Sequence, residues 1–427
     1  MLELLMHTAV AQAAPETELR CPGAGAEMPS SGVPWWSRSS IDVPLAAPIY
    51  PPTPDVDATL ASRFAVDPTT TRRIVVWGDS HLASGGMLDG IERAFAQRGV
   101  QVASAFVAPY LTLRGVRLPV RAHCVGGAWQ VERAYTAKTP VAFGPALLAM
   151  QARATPRESY IWLDLRTRAG AADVFRARLH VQALQSNTEI AVSLNQGGER
   201  RFVIAPEPDA YVDLQLPLSL LEQIRWRVTR GTVSFHGVGL TRVARPAVTI
   251  DVFAIPGATI AGLGNSDMQT FAGYLGPQAV DAVWLEYGTN EAANSFEAPA
   301  YEAQLTRVLS GLRLVYPDAA CLLIGPPDRG LSAKDRGDTR HPGISLDDPR
   351  HNARVHERVN AIQARIAPAF NCSHWNWQAY MGGVGAQARW AQLSPSGMAR
   401  DQLHLSQSGY RQSGFALAAL LGWSNPG

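Results

Sequence analysis

Arg73-Ile74-Val75-Val76-Trp77-Gly78-Asp79-Ser80-His81 decides the reading of this chain. Ile74 to Trp77 is an unbroken apolar, largely β-branched run, the pattern of a strand buried on both faces. Gly78 ends it. From Leu82 to Gln97 apolar residues then recur at helical spacing: Leu82, Met87, Leu88, Ile91 and Phe95. Strand, tight turn and helix open an α/β domain. Ser80 therefore falls at the C-terminal edge of a parallel sheet, where open α/β folds place their sites. Its hydroxyl would lie near free helix N–H groups that favour developing negative charge. Leu82 stands where a G-x-S-x-G elbow would carry glycine. Taken alone, Ser80 also fits a helix cap.

Working outward, the same texture returns after residue 247. Val280–Tyr287 predicts a buried strand before Gly288, Cys321–Ile324 another, and Trp375-Asn376-Trp377 a short third. Tyr301–Leu314, His351–Ile366 and Ser408–Leu421 predict helices. Between these parts the texture is different. Tyr160–Leu165, Arg176–Leu184, Glu189–Leu194, Arg201–Ile204, Tyr211–Leu216, Arg225–Val228 and Thr232–Leu240 are short, partly alternating runs with no helical pattern between them. Asn195-Gln196-Gly197-Gly198 reads as a hairpin turn. The expected organisation is an α/β domain over 58–107 and 248–427, with an all-β sandwich or jelly roll over 108–247 inserted into it.

Residues 16–57 are rich in Pro, Gly and Ser and predict an extended arm. Before it, Leu4-Leu5-Met6 and Ala11-Gln12-Ala13 resemble the apolar core and cleavage site of a secretory signal over 1–15, although Glu3 sits where a basic segment belongs. With 427 residues, 46 % hydrophobic and 17 % charged, the chain has a globular composition. A net charge of +2 argues against a protein built to hold nucleic acid. All but two of the 38 basic residues are arginine, a bias of composition more than of function. No apolar run reaches the roughly 18–20 residues of a membrane helix. The four cysteines form no C-x-x-C and no zinc spacing. In an exported protein they permit two disulfides. Cys321 and Cys372 would be a pair if their segments are neighbouring parallel strands.

Three further motifs carry chemistry. In Asp401-Gln402-Leu403-His404 the carboxylate can reach the ring, fix its tautomer and leave the other nitrogen for a serine. A capping Asp beside a surface His is the alternative. Asn290, in Gly288-Thr289-Asn290-Glu291, can donate a side-chain N–H to an oxyanion; a turn asparagine is the alternative. Gly257, after the apolar run Val252–Ile255, can bring a bare N–H to a reacting oxygen, or be an ordinary loop glycine. His351 and His356 read as a solvated helix face. Trp375, Trp377, Tyr380 and Trp390 read as core more readily than as sugar-stacking rings.

In this order, Ser80, Gly257, Asn290 and His404 resemble the SGNH/GDSL hydrolase superfamily, whose four blocks carry Ser, Gly, Asn and His in that sequence. The resemblance implies a flavodoxin-like three-layer sandwich. It also implies a Ser80–His404–Asp401 catalytic triad and an oxyanion hole of Ser80, Gly257 and Asn290. Asp79, His81, Tyr287 and Glu291 flank these blocks and are candidate substrate-lining residues. For His81 a structural hydrogen bond, and for Tyr287 a core position, are the other readings. Glu291 stands where most relatives have Asp. With the inserted β region and Trp375–Gly383, the chain resembles bacterial peptidoglycan O-acetylesterases. That implies a periplasmic enzyme removing acetyl from O-6 of N-acetylmuramic acid, with no metal or cofactor. The β region resembles a carbohydrate-binding-module jelly roll. The same machinery would serve an esterase acting on acetylated xylan or exopolysaccharide, or an acetyltransferase. A non-catalytic glycan-binding protein on this scaffold is a further reading.

Overall fold

In a computed structural model of the chain, Arg72–Gly78 forms strand β1. The structure describes residues 55–424 other than 56, 68–69, 137–142, 156–157, 168–169, 208–210, 245, 277, 294–295 and 331–349. The expected signal over 1–15 and nearly all of the arm over 16–57 lie outside the described residues.

Five more strands join β1 in a parallel sheet. They are β2 (Val102–Ala103), β3 (Val248–Ala254), β4 (Ala282–Glu286), β5 (Ala320–Ile324) and β6 (Cys372–Trp375). The order is β6-β5-β4-β1-β3-β2. β1 pairs with β3 on one side and β4 on the other, with Gly78 opposite both Ala254 and Glu286. The three strands therefore end level, and successive strands leave β1 in opposite directions. This creates a crevice at their C-terminal ends.

Alternation along β1 divides the core. Ile74 and Val76 face one side, with Met87, Ile91 and Phe95 of helix Gly86–Gln97 and Leu417 of helix Gln407–Leu420. Val75 and Trp77 face the other, with Leu305 and Val308 of helix Ala298–Val315 and Val359 of helix His351–Ile366.

Two helix expectations change. The single helix over 82–97 is two: Ser80–Ala83 and Gly86–Gln97. They part at Gly85, whose φ of +72° is left-handed and costly for a residue with a Cβ. Trp375-Asn376-Trp377 is not one strand. β6 ends at Trp375, Asn376 accepts the Ala379 N–H, and Trp377 begins helix Trp377–Met381.

Between β2 and β3 the described residues form no helix, and their strands pair antiparallel in two sheets. One runs Arg200–Ile204, Thr188–Leu194, Gln223–Arg230, Tyr160–Asp164, Ala122–Gly126. The other runs Val212–Gln215, Asp173–Ala183, Thr232–Arg242, Leu148–Arg153, Gln130–Arg133. Residues 195–198 form the turn between paired strands, with Asn195 left-handed at φ +53°. These sheets share a core with the α/β layers. Trp77 and Phe106 both pack on Phe253. The Trp77 indole N–H donates to Pro145 O (2.8 Å) across this boundary.

Cys321 and Cys372 are register partners across β5 and β6 and form a disulfide, as neighbouring parallel strands allow. Among the described residues no cysteine is free. The bond closes a 51-residue separation, so loop-closure entropy gives it about 3–4 kcal/mol. Replacing both cysteines by alanine should lower the urea midpoint and raise m, because the released unfolded chain exposes more surface. An unchanged midpoint would show that the bond contributes nothing.

Candidate active site

Ser80 is the first residue of its short helix, directly after β1. Asp79 caps that helix by accepting the His81 N–H at 2.9 Å. The helix has only four residues, so individual N–H groups matter here more than a macrodipole.

His404 comes from the other end of the chain. Ser406 caps helix Gln407–Leu420 through the Gly409 N–H. That helix lies against Gly86–Gln97 in backbone contact. A Cβ on Gly414 would stand 1.9 Å from Met87 O, and one on Gly90 2.1 Å from Arg411 O. Only glycine permits this approach, which brings the loop before the last helix over Ser80. His404 Nε2 lies 2.9 Å from Ser80 Oγ, and His404 Nδ1 lies 2.7 Å from Asp401 Oδ2. Asp401 Oδ1 also accepts the Leu403 and His404 N–H groups at 3.0 and 2.9 Å. Gln402, left-handed at φ +59°, makes that tight turn. Burial opposes the charge on Asp401. The His404 ring and backbone hydrogen bonds outweigh it and hold the carboxyl below its usual range. The His404 and Asp401 side chains are 32 % and 46 % exposed, so the relay opens to water.

Gly257 and Asn290 follow β3 and β4, on either side of β1. Gly257 has φ +81°, with open space around its α-carbon. The neighbouring Ala258 N–H closes the turn onto Ile255 O. Asn290 Nδ2 donates to Ala258 O (2.8 Å) and to Asp79 Oδ2 (3.1 Å). Both amide hydrogens have acceptors, so any donation to an oxyanion is shared with Asp79.

The flanking residues have other roles. Asp79, His81 and Tyr287 are fully buried, so they lie beneath the crevice and do not line it. The His81 Nδ1 bonds the Tyr410 hydroxyl at 2.9 Å, and its ring centroid lies 5.4 Å from that of His404. Burial, then the neighbouring His404, His356 and Arg329, keeps its pKa well below the usual value. Glu291 turns its carboxylate inward onto the Ile260 N–H (2.7 Å) and the Gly288 N–H (3.0 Å). It clamps the Gly257 loop to the Asn290 loop. Burial pushes its carboxyl up to about 7, against those donors. His356 is buried, not solvated, and bonds Pro327 O at 2.7 Å. Trp375, Trp377 and Trp390 are core. Sequence reasoning missed Glu286, a buried glutamate ending the otherwise apolar strand β4. That interruption is the signal that marks it. Among the described residues no group of three His, Cys, Asp or Glu side chains is placed to hold a metal.

Residues 226–412 match the model of the GDSL-like Lipase/Acylhydrolase family. The resemblance to the SGNH/GDSL hydrolases holds. The matched stretch contains Gly257, Asn290 and His404; the Ser80 block joins them through the sheet. No curated protein sequence matches the chain significantly. Among solved structures, a peptidoglycan O-acetylesterase is similar over 85 % of this chain and 94 % of its own, with a TM-score of 0.61 and 20 % identity. At that identity the likeness establishes a shared fold. A family two carbohydrate esterase from Clostridium thermocellum, in complex with cellohexaose, is aligned over 69 % of this chain and all of its own, with 11 % identity and a TM-score of 0.27. A psychrotrophic esterase from Pseudoalteromonas is aligned over 41 % of this chain and 77 % of its own, with 16 % identity and a TM-score of 0.28.

Proposed function

We propose that this protein is a serine esterase that hydrolyses O-acetyl groups on a cell-wall polysaccharide, its substrate being O-acetylated N-acetylmuramic acid of peptidoglycan. The observation that carries this is the Asp401–His404–Ser80 hydrogen-bonded relay at the crevice beside β1. His404 Nε2 takes the Ser80 proton as Oγ attacks the acetyl carbonyl. Asp401 holds the ring and stabilises the imidazolium. The Ser80 and Gly257 backbone N–H groups and the Asn290 amide receive the oxyanion. His404 then protonates the leaving sugar and activates water against the acetyl-serine. Water access to His404 and Asp401 supports hydrolysis over transfer to a second sugar.

The fold shared with a peptidoglycan O-acetylesterase supports the substrate class. We assign 58–107 and 248–427 to the hydrolase domain. The two antiparallel sheets of 108–247 are assigned to an inserted jelly roll that meets glycan. The Cys321–Cys372 bond supports an oxidising compartment, and we place the enzyme in the periplasm or outside the cell.

Acetate release from O-acetylated peptidoglycan, with acetylated xylan alongside, tests the reading. Release from peptidoglycan is expected. Release from xylan alone would overturn the substrate; release from neither, with no hydrolysis of a small acetate ester, would overturn the esterase. Asn290→Ala should lower kcat by about 10²–10³ with KM little changed, measured on a small acetate ester. Wild-type kcat would remove Asn290 from the oxyanion site.

A further inference from the structure

Two carboxyl groups meet where β1 and β4 end, just before Ser80 in the chain. Asp79 and Glu286 are both fully buried. Glu286 Oε2 accepts the Asp79 backbone N–H at 3.2 Å, which sets the two buried side chains next to each other. Two neighbouring buried carboxylates repel and can only accept, which favours a proton on one of them. The partners say which one. Asp79 Oδ1 accepts the His81 N–H and Oδ2 accepts the Asn290 amide, two donors that favour a charged carboxylate. Glu286 Oε1 is buried with no protein donor. A protonated Glu286 facing a charged Asp79 satisfies both.

We propose that Glu286 retains a proton and donates it to Asp79, and that this acid pair positions Asn290 for the oxyanion. The proposal rests on the esterase reading above. Without the Glu286 proton, Asp79 would hold the Asn290 N–H against a full buried charge, close to where the oxyanion forms. With it, that charge is spread over two groups and the amide can shift its bond to the substrate oxygen. Asp79 and Glu286 are positioning residues; Asn290 does the donating.

Burial raises both carboxyl pKa values, and the charge of Asp79 adds to that of Glu286. The other groups facing the pair do not relieve it. Glu291 adds negative charge, the Tyr287, Tyr301 and Tyr410 hydroxyls are held neutral by burial, and His81 is kept neutral as described. In the unfolded chain these carboxyls ionise near their ordinary values. Above that range the folded state binds more protons than the unfolded state, so stability falls as pH rises towards the raised values.

Glu286→Gln and Glu286→Leu test this. Glutamine keeps an N–H for Asp79 and has no proton to lose. The melting temperature of wild type relative to Glu286→Gln should fall steadily between pH 5 and 8. On an acetate ester, Glu286→Leu should lose about 10²-fold in kcat at little-changed KM, and glutamine should restore most of it. The alkaline limb of the wild-type profile should move upward in Glu286→Gln. Parallel melting curves would overturn the shared proton, and equal kcat for Leu and Gln variants would overturn the positioning role. An inactive wild type would overturn the esterase reading together with the positioning role. The melting comparison would then still decide the proton.

Discussion

Ser80→Ala should lower kcat by at least about 10⁴-fold while leaving the melting temperature within a few degrees of wild type. The hydroxyl is the atom that His404 Nε2 meets at 2.9 Å, and removing one oxygen at a half-buried position disturbs little packing. His404→Ala should cost about as much. The sharper expectation concerns the pair. If serine and histidine act as one unit, the double variant is no worse than either single one, because the second deletion removes a group already idle. Losses that multiply would mean that the two act independently, and the relay would not be the machinery. Asp401→Ala should be milder, since it loses orientation and imidazolium stabilisation but keeps the nucleophile and base.

The largest structural effect is expected from Asp251→Ala. Asp251 and Arg73 are fully buried, on the paired strands β3 and β1. Asp251 Oδ2 accepts from Arg73 Nε at 2.9 Å and Nη2 at 2.6 Å. Its Oδ1 accepts the Ser104 hydroxyl at 2.8 Å and the Ala105 N–H at 2.7 Å. Arg73 Nη1 also donates to Leu275 O. Truncating Asp251 leaves a buried guanidinium charge without its carboxylate, at a cost of about 3–5 kcal/mol. For a chain of this size that is a fall of about 3–6 °C in Tm, read by thermal unfolding. Replacing both partners by apolar residues of similar volume should recover much of it, because the penalty belongs to the orphaned charge. A fall under about 2 °C would mean that water or another anion reaches Arg73.

The parts of this site that declare themselves in sequence are those with local rules. A β-branched run ended by Gly78 gave β1 and placed Ser80. The three-residue spacing of Asp401 and His404 gave their contact, and the apolar runs around Cys321 and Cys372 gave neighbouring strands. What stayed hidden depends on tertiary neighbours. Ala122–Gly126 and Gln130–Arg133 carry only partial burial and polar residues, so their pairing leaves little alternation to read. At the helix break Arg117 packs over Gly85, a contact between residues far apart in sequence. Asp79, His81 and Tyr287 sit beside the motifs in sequence, yet burial turns them into supports of the site. Glu286 gains its meaning only when β4 lies next to β1.

The Trp77 hydrogen bond to Pro145 O, and the core that continues from β1 into the antiparallel sheets, make 108–247 a poor candidate for excision. A shortened chain lacking it would leave Trp77, Phe253 and Phe271 on a naked apolar flank. The β region serves the α/β layers as a wall. Calorimetry on the intact chain should accordingly show one melting event, and graftable, stand-alone use of either half is not to be expected.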